Sequence, residues 1–223
     1  MTRLGLVHTV PALAATFHDL VTAAAAADVE PIHVVDPWLL RTAMTTGVTP
    51  EVVDRLAAHV AHLRGRGVAG VLVTCSTLGE ATEQVLERLG AGAPVVRVDQ
   101  GMADRAVDLA GDGGRVAVLA TVASTTGPTE RLVHRSARRA GVAVTVAVEL
   151  LEEAGRARES GDLDRHDELV AAAIGRWEGR SDVVVLAQAS MAAAVSRAGA
   201  TATPVLSSPE LAARRLVEVT SLV

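Results

Sequence analysis

Short apolar runs alternate with longer amphipathic segments along the chain. Continuous Val and Leu runs are typical of strands covered on both faces, and apolar residues at helical spacing are typical of the helices that cover them. The first half is predicted to contain strands at 3–8, 31–36, 71–75 and 94–99, and helices at 12–27, 51–64, 101–110 and in the stretch ending at Leu89. The segment from 37 to 49 is predicted to be irregular.

The second half repeats this plan. Strands are predicted in the same order at 115–121, 142–149, 183–190 and 204–206, at nearly constant spacing from their first-half counterparts. Such spacing indicates an internal duplication. We therefore predict an α/β fold of two similar doubly wound parallel-sheet lobes, 1–112 and 113–223, related by a pseudo-twofold with an active-site cleft between them. A final helix at 209–220 could pack on either lobe, the first included.

Composition narrows the possible functions. The chain has 223 residues, and 49% of them are hydrophobic, which is enough for the core of a globular domain. Its net charge of −5 argues against nucleic acid as a partner. It has no lysine and no tyrosine, so acid–base chemistry falls to cysteine, histidine, carboxylates or water. The Ala-rich run at 23–27 is too short to span a membrane, and no cleavable leader is visible, so a cytoplasmic protein without a membrane partner is expected.

The only cysteine, Cys75, follows the apolar run at 71–73 and precedes Ser76 and Thr77. A strand that ends where a helix begins would place the thiol beside unpaired backbone N–H groups, which can lower the thiol pKa toward neutrality. The alternative is a buried cysteine that acts as a small hydrophobic residue. Because parallel sheets bind ligands beyond the carboxyl ends of their strands, Cys75 is a candidate catalytic group.

Two other predicted strand ends carry ionisable side chains. His8 could relay protons near neutral pH, or it could fix the turn before Pro11 by hydrogen bonds. Asp36 could orient His8 or Arg41, although aspartate before proline is also a common turn device. His8 is therefore a second catalytic candidate.

These motifs, taken in order, resemble the aspartate/glutamate racemase superfamily, which includes amino-acid and hydantoin racemases, maleate isomerases and arylmalonate decarboxylases. The resemblance is carried by residues 4–11, 74–77, 118–121, 124–125 and 188–190. In that family two cysteines face each other across the lobe interface and act without a cofactor, one removing the α proton and the other returning it. Matched residue by residue, Cys75 corresponds to the first cysteine and Ala189 to the second, so one proton carrier is missing.

The resemblance also implies which residues bind the substrate. In the family, hydroxyl and backbone N–H groups beside each cysteine hold the substrate carboxylate. The candidates here are Thr9, Thr74, Ser76, Thr77, Thr121, Ser124, Thr125, Gln188, Ala189 and Ser190. Such donors would stabilise the enediolate that forms when the carbon next to a carboxylate loses a proton.

A single thiol leaves the reaction open. We expect a cofactor-independent isomerase of racemase type that acts on a small carboxylate, an amino acid or a dicarboxylate, through Cys75 and His8. An arylmalonate-decarboxylase-like lyase is an alternative because one-sided protonation needs only one acid, and a non-catalytic carboxylate-binding protein is another. No metal is predicted, because His59 and His62 lack a third ligand. A homo-oligomer, in the simplest case a dimer, is expected.

Overall fold

The computed structural model describes residues 1–221 and divides the chain into two compact units. The first unit comprises Met1–Val98 and the segment from Pro209 onward, and the second comprises Asp99–Ser208. Within the described residues, each unit contains one four-stranded parallel sheet flanked by helices. This architecture confirms the predicted α/β fold with two similar parallel-sheet lobes.

The sheet of the first unit has the strand order β2-β1-β3-β4. Its strands are β1 (Thr2–His8), β2 (Val29–Val35), β3 (Gly70–Val73) and β4 (Val95–Arg97). Its helices are α1 (Leu13–Ala24), α2 (Pro37–Thr46), α3 (Pro50–Gly65), α4 (Gly79–Leu89) and, from the end of the chain, α10 (Ser208–Ser221). Parallel pairing of β1 with both β2 and β3 brings the ends of these three strands to one edge.

Both faces of this sheet are covered. Val7, Val71 and Val73 point into a core formed with α2, α3 and α4, while Leu6 and Leu72, which point to the opposite face, are also fully buried. The apolar runs are uninterrupted because neither face meets water. The last helix contributes to this unit, since a Cβ atom on Gly70 of β3 would lie 2.6 Å from Thr220 of α10.

The second unit repeats the arrangement with the strand order β6-β5-β7-β8. Its strands are β5 (Gly114–Ala120), β6 (Val144–Leu150), β7 (Val183–Leu186) and β8 (Val205–Ser207). Its helices are α5 (Gln100–Ala110), α6 (Ala123–Ala140), α7 (Glu152–Glu159), α8 (Leu163–Trp177) and α9 (Ala194–Ala198). Val116, Val118 and Val185 on one face and Leu119 and Leu186 on the other are fully buried.

The unit boundary lies earlier than the predicted division after residue 112, because α5 packs with the second unit. Hydrogen bonds from Gln100 Nε2 to Ser136 Oγ (3.3 Å) and from Ser136 Oγ to Asp104 Oδ1 (2.7 Å) join α5 to α6. The Gly-rich turn at 111–114 therefore joins two elements of one unit.

The segment from 37 to 49 was predicted to be irregular, which is wrong for most of its length. It forms α2, which begins with Pro37 in its first turn and is capped by the Asp36 carboxylate, whose Oδ1 accepts from the Trp38 N–H at 3.2 Å. Leu39 and Ala43 bury one side of the helix. Asp before Pro was a helix-start signal here, since proline suits the first helical turn.

Candidate active site

The two sheets place Cys75 and Gln188 in equivalent positions. Each residue directly precedes a one-turn 3₁₀ helix after the third strand of its unit, Ser76–Leu78 in the first and Ala189–Met191 in the second. The carbonyl groups of both residues accept from the N–H three residues later, at 3.1 Å from Leu78 and at 3.0 Å from Met191.

This equivalence corrects the sequence register by one residue. The sequence comparison made Ala189 the counterpart of Cys75. In the backbone, Gln188 occupies the position equivalent to Cys75, and Ala189 occupies the position equivalent to Ser76. The error arose because apolar runs of valine and leucine align almost equally well when shifted by one position. The hydrogen bonds at the end of each strand remove that ambiguity.

The Cys75 sulfur lies among hydrogen-bond donors. It interacts with the hydroxyl groups of Thr9 and Thr77 and with the backbone N–H groups of Thr77 and Leu78. These donors lower the thiol pKa, but burial raises it by more, because the residue is only 8% exposed. The expected shift toward neutrality is therefore not found, and the resting group is a protonated thiol surrounded by donors that can stabilise a thiolate.

The Thr9 hydroxyl provides a direct test of this environment. Replacing Thr9 with valine removes one donor to the sulfur, so the pKa of Cys75 should rise further and less thiolate should form at any given pH. We expect alkylation by iodoacetamide, measured across pH, to become severalfold slower than in the wild type, which should itself react more slowly than a free thiol. Thr22→Val, at an exposed position of α1, is the matched control. Equal alkylation rates in the two variants would contradict the contact.

Thr74, directly before Cys75, joins two strand ends through its hydroxyl group. It donates to the Val7 carbonyl at 3.1 Å and lies 3.0 Å from His8 Nδ1. Both Thr74 and His8 are buried. Burial, followed by repulsion from His33, lowers the pKa of His8 to about 4, so its imidazole is neutral near physiological pH. His8 thus contacts Thr74 and does not fix the turn before Pro11.

Gln188 in the second unit is held rigidly. Its Oε1 accepts from the Thr121 N–H at 3.1 Å, and its Nε2 donates to Thr125 Oγ1 at 2.8 Å. Thr125 in turn donates to the Val122 carbonyl at 2.7 Å. An amide carries no proton at neutral pH, so the residue equivalent to Cys75 can orient a ligand but cannot replace a thiol as acid or base.

Two further hydroxyl groups lie where β5 leads into α6. The Oγ atoms of Thr121 and Ser124 are buried and have no hydrogen-bond partner among the described residues. The first turn of α6 has no side-chain cap. Unpaired N–H groups and unsatisfied hydroxyl groups at the start of a long helix suit an anionic ligand.

The remaining predicted site residues lie next to Cys75 in the first unit or next to Gln188 in the second. Ser76 and Thr77 form the 3₁₀ turn after Cys75 and are buried, while Ala189 and Ser190 form the turn after Gln188. Each unit therefore gathers its own predicted residues at the carboxyl edge of its own sheet.

Asp36 does not orient His8 or Arg41. Its Oδ2 accepts from Arg55 Nε at 2.6 Å and contacts His59 Nε2 at 2.7 Å, and these groups lower its pKa against the opposing effect of burial. His59 is thereby occupied by a carboxylate. Across residues 1–221, no three His, Cys, Asp or Glu side chains are grouped to bind a metal ion.

Sequence reasoning missed two histidines near the site. His33 in β2 lies 2.9 Å from His8, and His18 in α1 lies 3.1 Å from His33. In the register of β1 and β2, His33 is paired with Leu6, and Leu6 is two residues before His8. The signal was a histidine within the otherwise apolar run at 31–35, but its partner became visible only with the pairing register.

A search of solved structures found the same fold in several racemases. A glutamate racemase isoform from Bacillus anthracis has a TM-score of 0.70 at 16% identity, covering 99% of this chain and 82% of that chain. An aspartate racemase homologue from Pyrococcus horikoshii OT3 has a TM-score of 0.69 at 15% identity, covering 99% of this chain and 100% of that one. Allantoin racemase from Klebsiella pneumoniae has a TM-score of 0.64 at 17% identity, covering 100% and 89%.

Comparison by sequence found no curated protein that matches the chain significantly. Within residues 1–221, each helix is too short or too polar to span a membrane. The model of the family described as Asp/Glu/Hydantoin racemase matches residues 7–216. The chain therefore belongs to the Asp/Glu/hydantoin racemase family.

Proposed function

We propose that this racemase-family protein acts at the carbon next to a carboxylate of a small acid, without a cofactor, and uses Cys75 as its single proton-transferring thiol. The observation that carries this proposal is the set of donors around the sulfur, two hydroxyl groups and two backbone N–H groups. A cysteine that served only as a small hydrophobic residue would not require them. Their effect is to favour the thiolate that forms once the thiol has given up its proton.

The substrate class follows from the donors without partners. The buried hydroxyl groups of Thr121 and Ser124, with the first turn of α6, would each gain a partner from a carboxylate. Gln188, fixed by Thr121 and Thr125, keeps one N–H of its amide for a ligand oxygen. These donor-rich strand ends favour an anionic small molecule, and we propose an amino acid or a dicarboxylate as the substrate.

A specific observation favours a second reaction type. Burial keeps the resting Cys75 protonated, and its counterpart Gln188 is not an acid or base. In a decarboxylation, the bond from the α carbon to one carboxylate breaks, carbon dioxide leaves, and the electron pair remains as an enediolate. Cys75 then donates its proton to that carbon and becomes a thiolate. This sequence needs one acid, whereas two-sided racemisation needs a proton donor on the opposite face.

Incubation of the wild-type protein in deuterated water with aspartate, glutamate, hydantoins, maleate and substituted malonates separates these reactions. Deuterium at the α carbon with change of configuration identifies a racemase, geometric conversion identifies an isomerase, and release of carbon dioxide identifies a lyase. Proton NMR and carbon dioxide detection are the measurements. Ligand-dependent thermal stabilisation without turnover by any of these acids would instead indicate a carboxylate-binding protein and contradict the proposal.

A further inference from the structure

One arginine of the first unit is buried, and it lies beside the turn that follows Cys75. Arg97 ends β4 and is 5% exposed, whereas every other arginine within residues 1–221 is half-buried or exposed. In the register of β3 and β4 it is paired with Val73, two residues before Cys75. An arginine is rarely buried unless its charge is paired, so its surroundings indicate what holds it there.

The Arg97 guanidinium lies against the first residue of α4. A Cβ atom placed on Gly79 would come within 3.0 Å of three of its atoms, Nη2, Cζ and Nε. Nη1 of the same guanidinium forms an ion pair with Glu83, one turn further along α4. Arg97 therefore joins the end of β4 to the first turn of α4.

Backbone conformation does not explain why residue 79 is a glycine. The φ of −56° and ψ of −48° at Gly79 lie in the right-handed helical region, which any residue adopts. Glycine at a helical position lowers the stability relative to alanine. The space taken by the Arg97 guanidinium accounts for the missing side chain, so the two residues fit each other as a pair.

Gly79 also closes the turn that surrounds the Cys75 sulfur. Its N–H donates to the Ser76 carbonyl, and the Leu78 N–H donates to the Cys75 carbonyl at 3.1 Å. The same one-turn helix supplies the N–H groups of Thr77 and Leu78 that contact the sulfur. The residue against which the guanidinium packs is therefore part of the turn that holds the sulfur.

We propose that Arg97, held by Glu83, is a positioning residue for Cys75, because it fixes the start of α4 so that the turn at 76–78 directs its N–H groups at the sulfur. This role rests on the proposed function, in which the sulfur passes through a thiolate. The charge of Arg97 is paired with that of Glu83, and the donors at the sulfur come from other residues. Arg97 therefore acts through the position of the turn.

Arg97→Met tests this role, because methionine fills part of the same space without a charge or a strong hydrogen-bond donor. A loosened turn directs its N–H groups less well, so the pKa of Cys75 should rise. We expect the pH profile of alkylation by iodoacetamide to move to higher pH, with alkylation severalfold slower below its midpoint. Cys75 is the only cysteine, so the signal reports this thiol alone. Thermal unfolding shows that the variant is folded.

Glu83→Leu separates the position of the turn from the charge of the arginine. This variant keeps the positive charge of Arg97 and removes a negative one, so a direct effect of charge would lower the pKa of Cys75 and speed its alkylation. Loss of the support for Arg97 should instead slow alkylation, as Arg97→Met does. Faster alkylation in Glu83→Leu would overturn the positioning role.

Arg64→Met is the matched control for a purely structural arginine. Arg64 of α3 also packs against a glycine, with Cζ 3.1 Å from a Cβ atom placed on Gly92, and its Nε donates to the Ala93 carbonyl at 3.1 Å. These contacts lie before the start of β4, at the opposite end from Arg97. Arg64→Met should lower the unfolding temperature and leave the alkylation profile unchanged. If Arg97→Met gave the same profile, the proposal would be wrong.

A pair of substitutions tests the contact itself. Gly79→Ala should lower the unfolding temperature of the wild type, because the new methyl group displaces the guanidinium, and should do so far less in Arg97→Met. Equal effects in both backgrounds would contradict the contact and the proposal with it. These measurements need no substrate, so a negative result leaves the proposed function intact. Activity that persists in Cys75→Ala would instead remove the proposed function itself.

Discussion

Replacing Cys75 with alanine is expected to lower turnover on the order of a thousandfold while the protein stays folded, because the variant loses the only thiol that can move a proton. The side chain is buried, but the substitution removes only one sulfur atom and leaves a small cavity, so the loss of stability is limited. Steady-state rates with the acid identified in deuterated water measure the first effect, and thermal unfolding measures the second.

Cys75→Ser is the matched variant for this prediction. Serine keeps the size of the side chain and can accept from Thr9, Thr77 and Leu78, but its hydroxyl group is a far weaker acid than a thiol. We expect it to be as inactive as the alanine variant and to bind the substrate with similar affinity. An active serine variant would mean that the donors around position 75 act on the substrate directly and that the thiol is dispensable.

Replacing Gly155 with alanine is expected to destabilise the protein by about 2 to 3 kcal/mol, because the added methyl group has no space. A Cβ atom there would lie 2.4 Å from the carbonyl oxygen of Thr121. Gly155 lies in α7, and the obstructing atom is a backbone oxygen of Thr121, the residue directly after β5, so no side chain can rotate away. The substitution should move Thr121 and Gln188, whose Oε1 accepts from the Thr121 N–H, and should also weaken substrate binding.

Gly175→Ala is the control for this substitution. Gly175 lies in α8 of the same unit, and a Cβ atom there would meet nothing within 4 Å. Alanine should therefore stabilise the protein by about 0.5 to 1 kcal/mol through helix propensity. Denaturant unfolding with an unchanged m-value measures both effects. Equal stabilities for the two variants would show that α7 does not press on the end of β5.

Several helix boundaries and the register of the repeat required the structure. Asp36–Pro37 reads equally well as a turn or as a helix start, and the burial of Leu39 and Ala43 decides for the helix. The counterpart of Cys75 was misplaced by one residue. In a strand covered on both faces, a continuous run of valine and leucine does not show which residue of one repeat corresponds to which residue of the other. The hydrogen bonds donated by the Leu78 and Met191 N–H groups fix this correspondence.

Side-chain partners were the least predictable feature of the candidate site. His8 was correctly placed at a strand end, yet its neighbours His33 and Thr74 are 25 and 66 residues away in the chain. The direction of the pKa shift of Cys75 was also out of reach, because it depends on how burial compares with four donors from three separate residues. The balance between burial and these donors depends on the tertiary structure and cannot be read from the sequence.

Local patterns in the chain predicted the two parallel-sheet lobes, the single thiol just beyond β3 and the polar strand ends, because strand and helix patterns are local and parallel sheets gather their carboxyl ends at one edge. Three features became known only from the folded chain: Gln188 is the counterpart of Cys75, burial raises the thiol pKa, and a series of three histidines leads to Thr74. These features depend on register, burial and contacts between distant residues, which a local pattern does not encode.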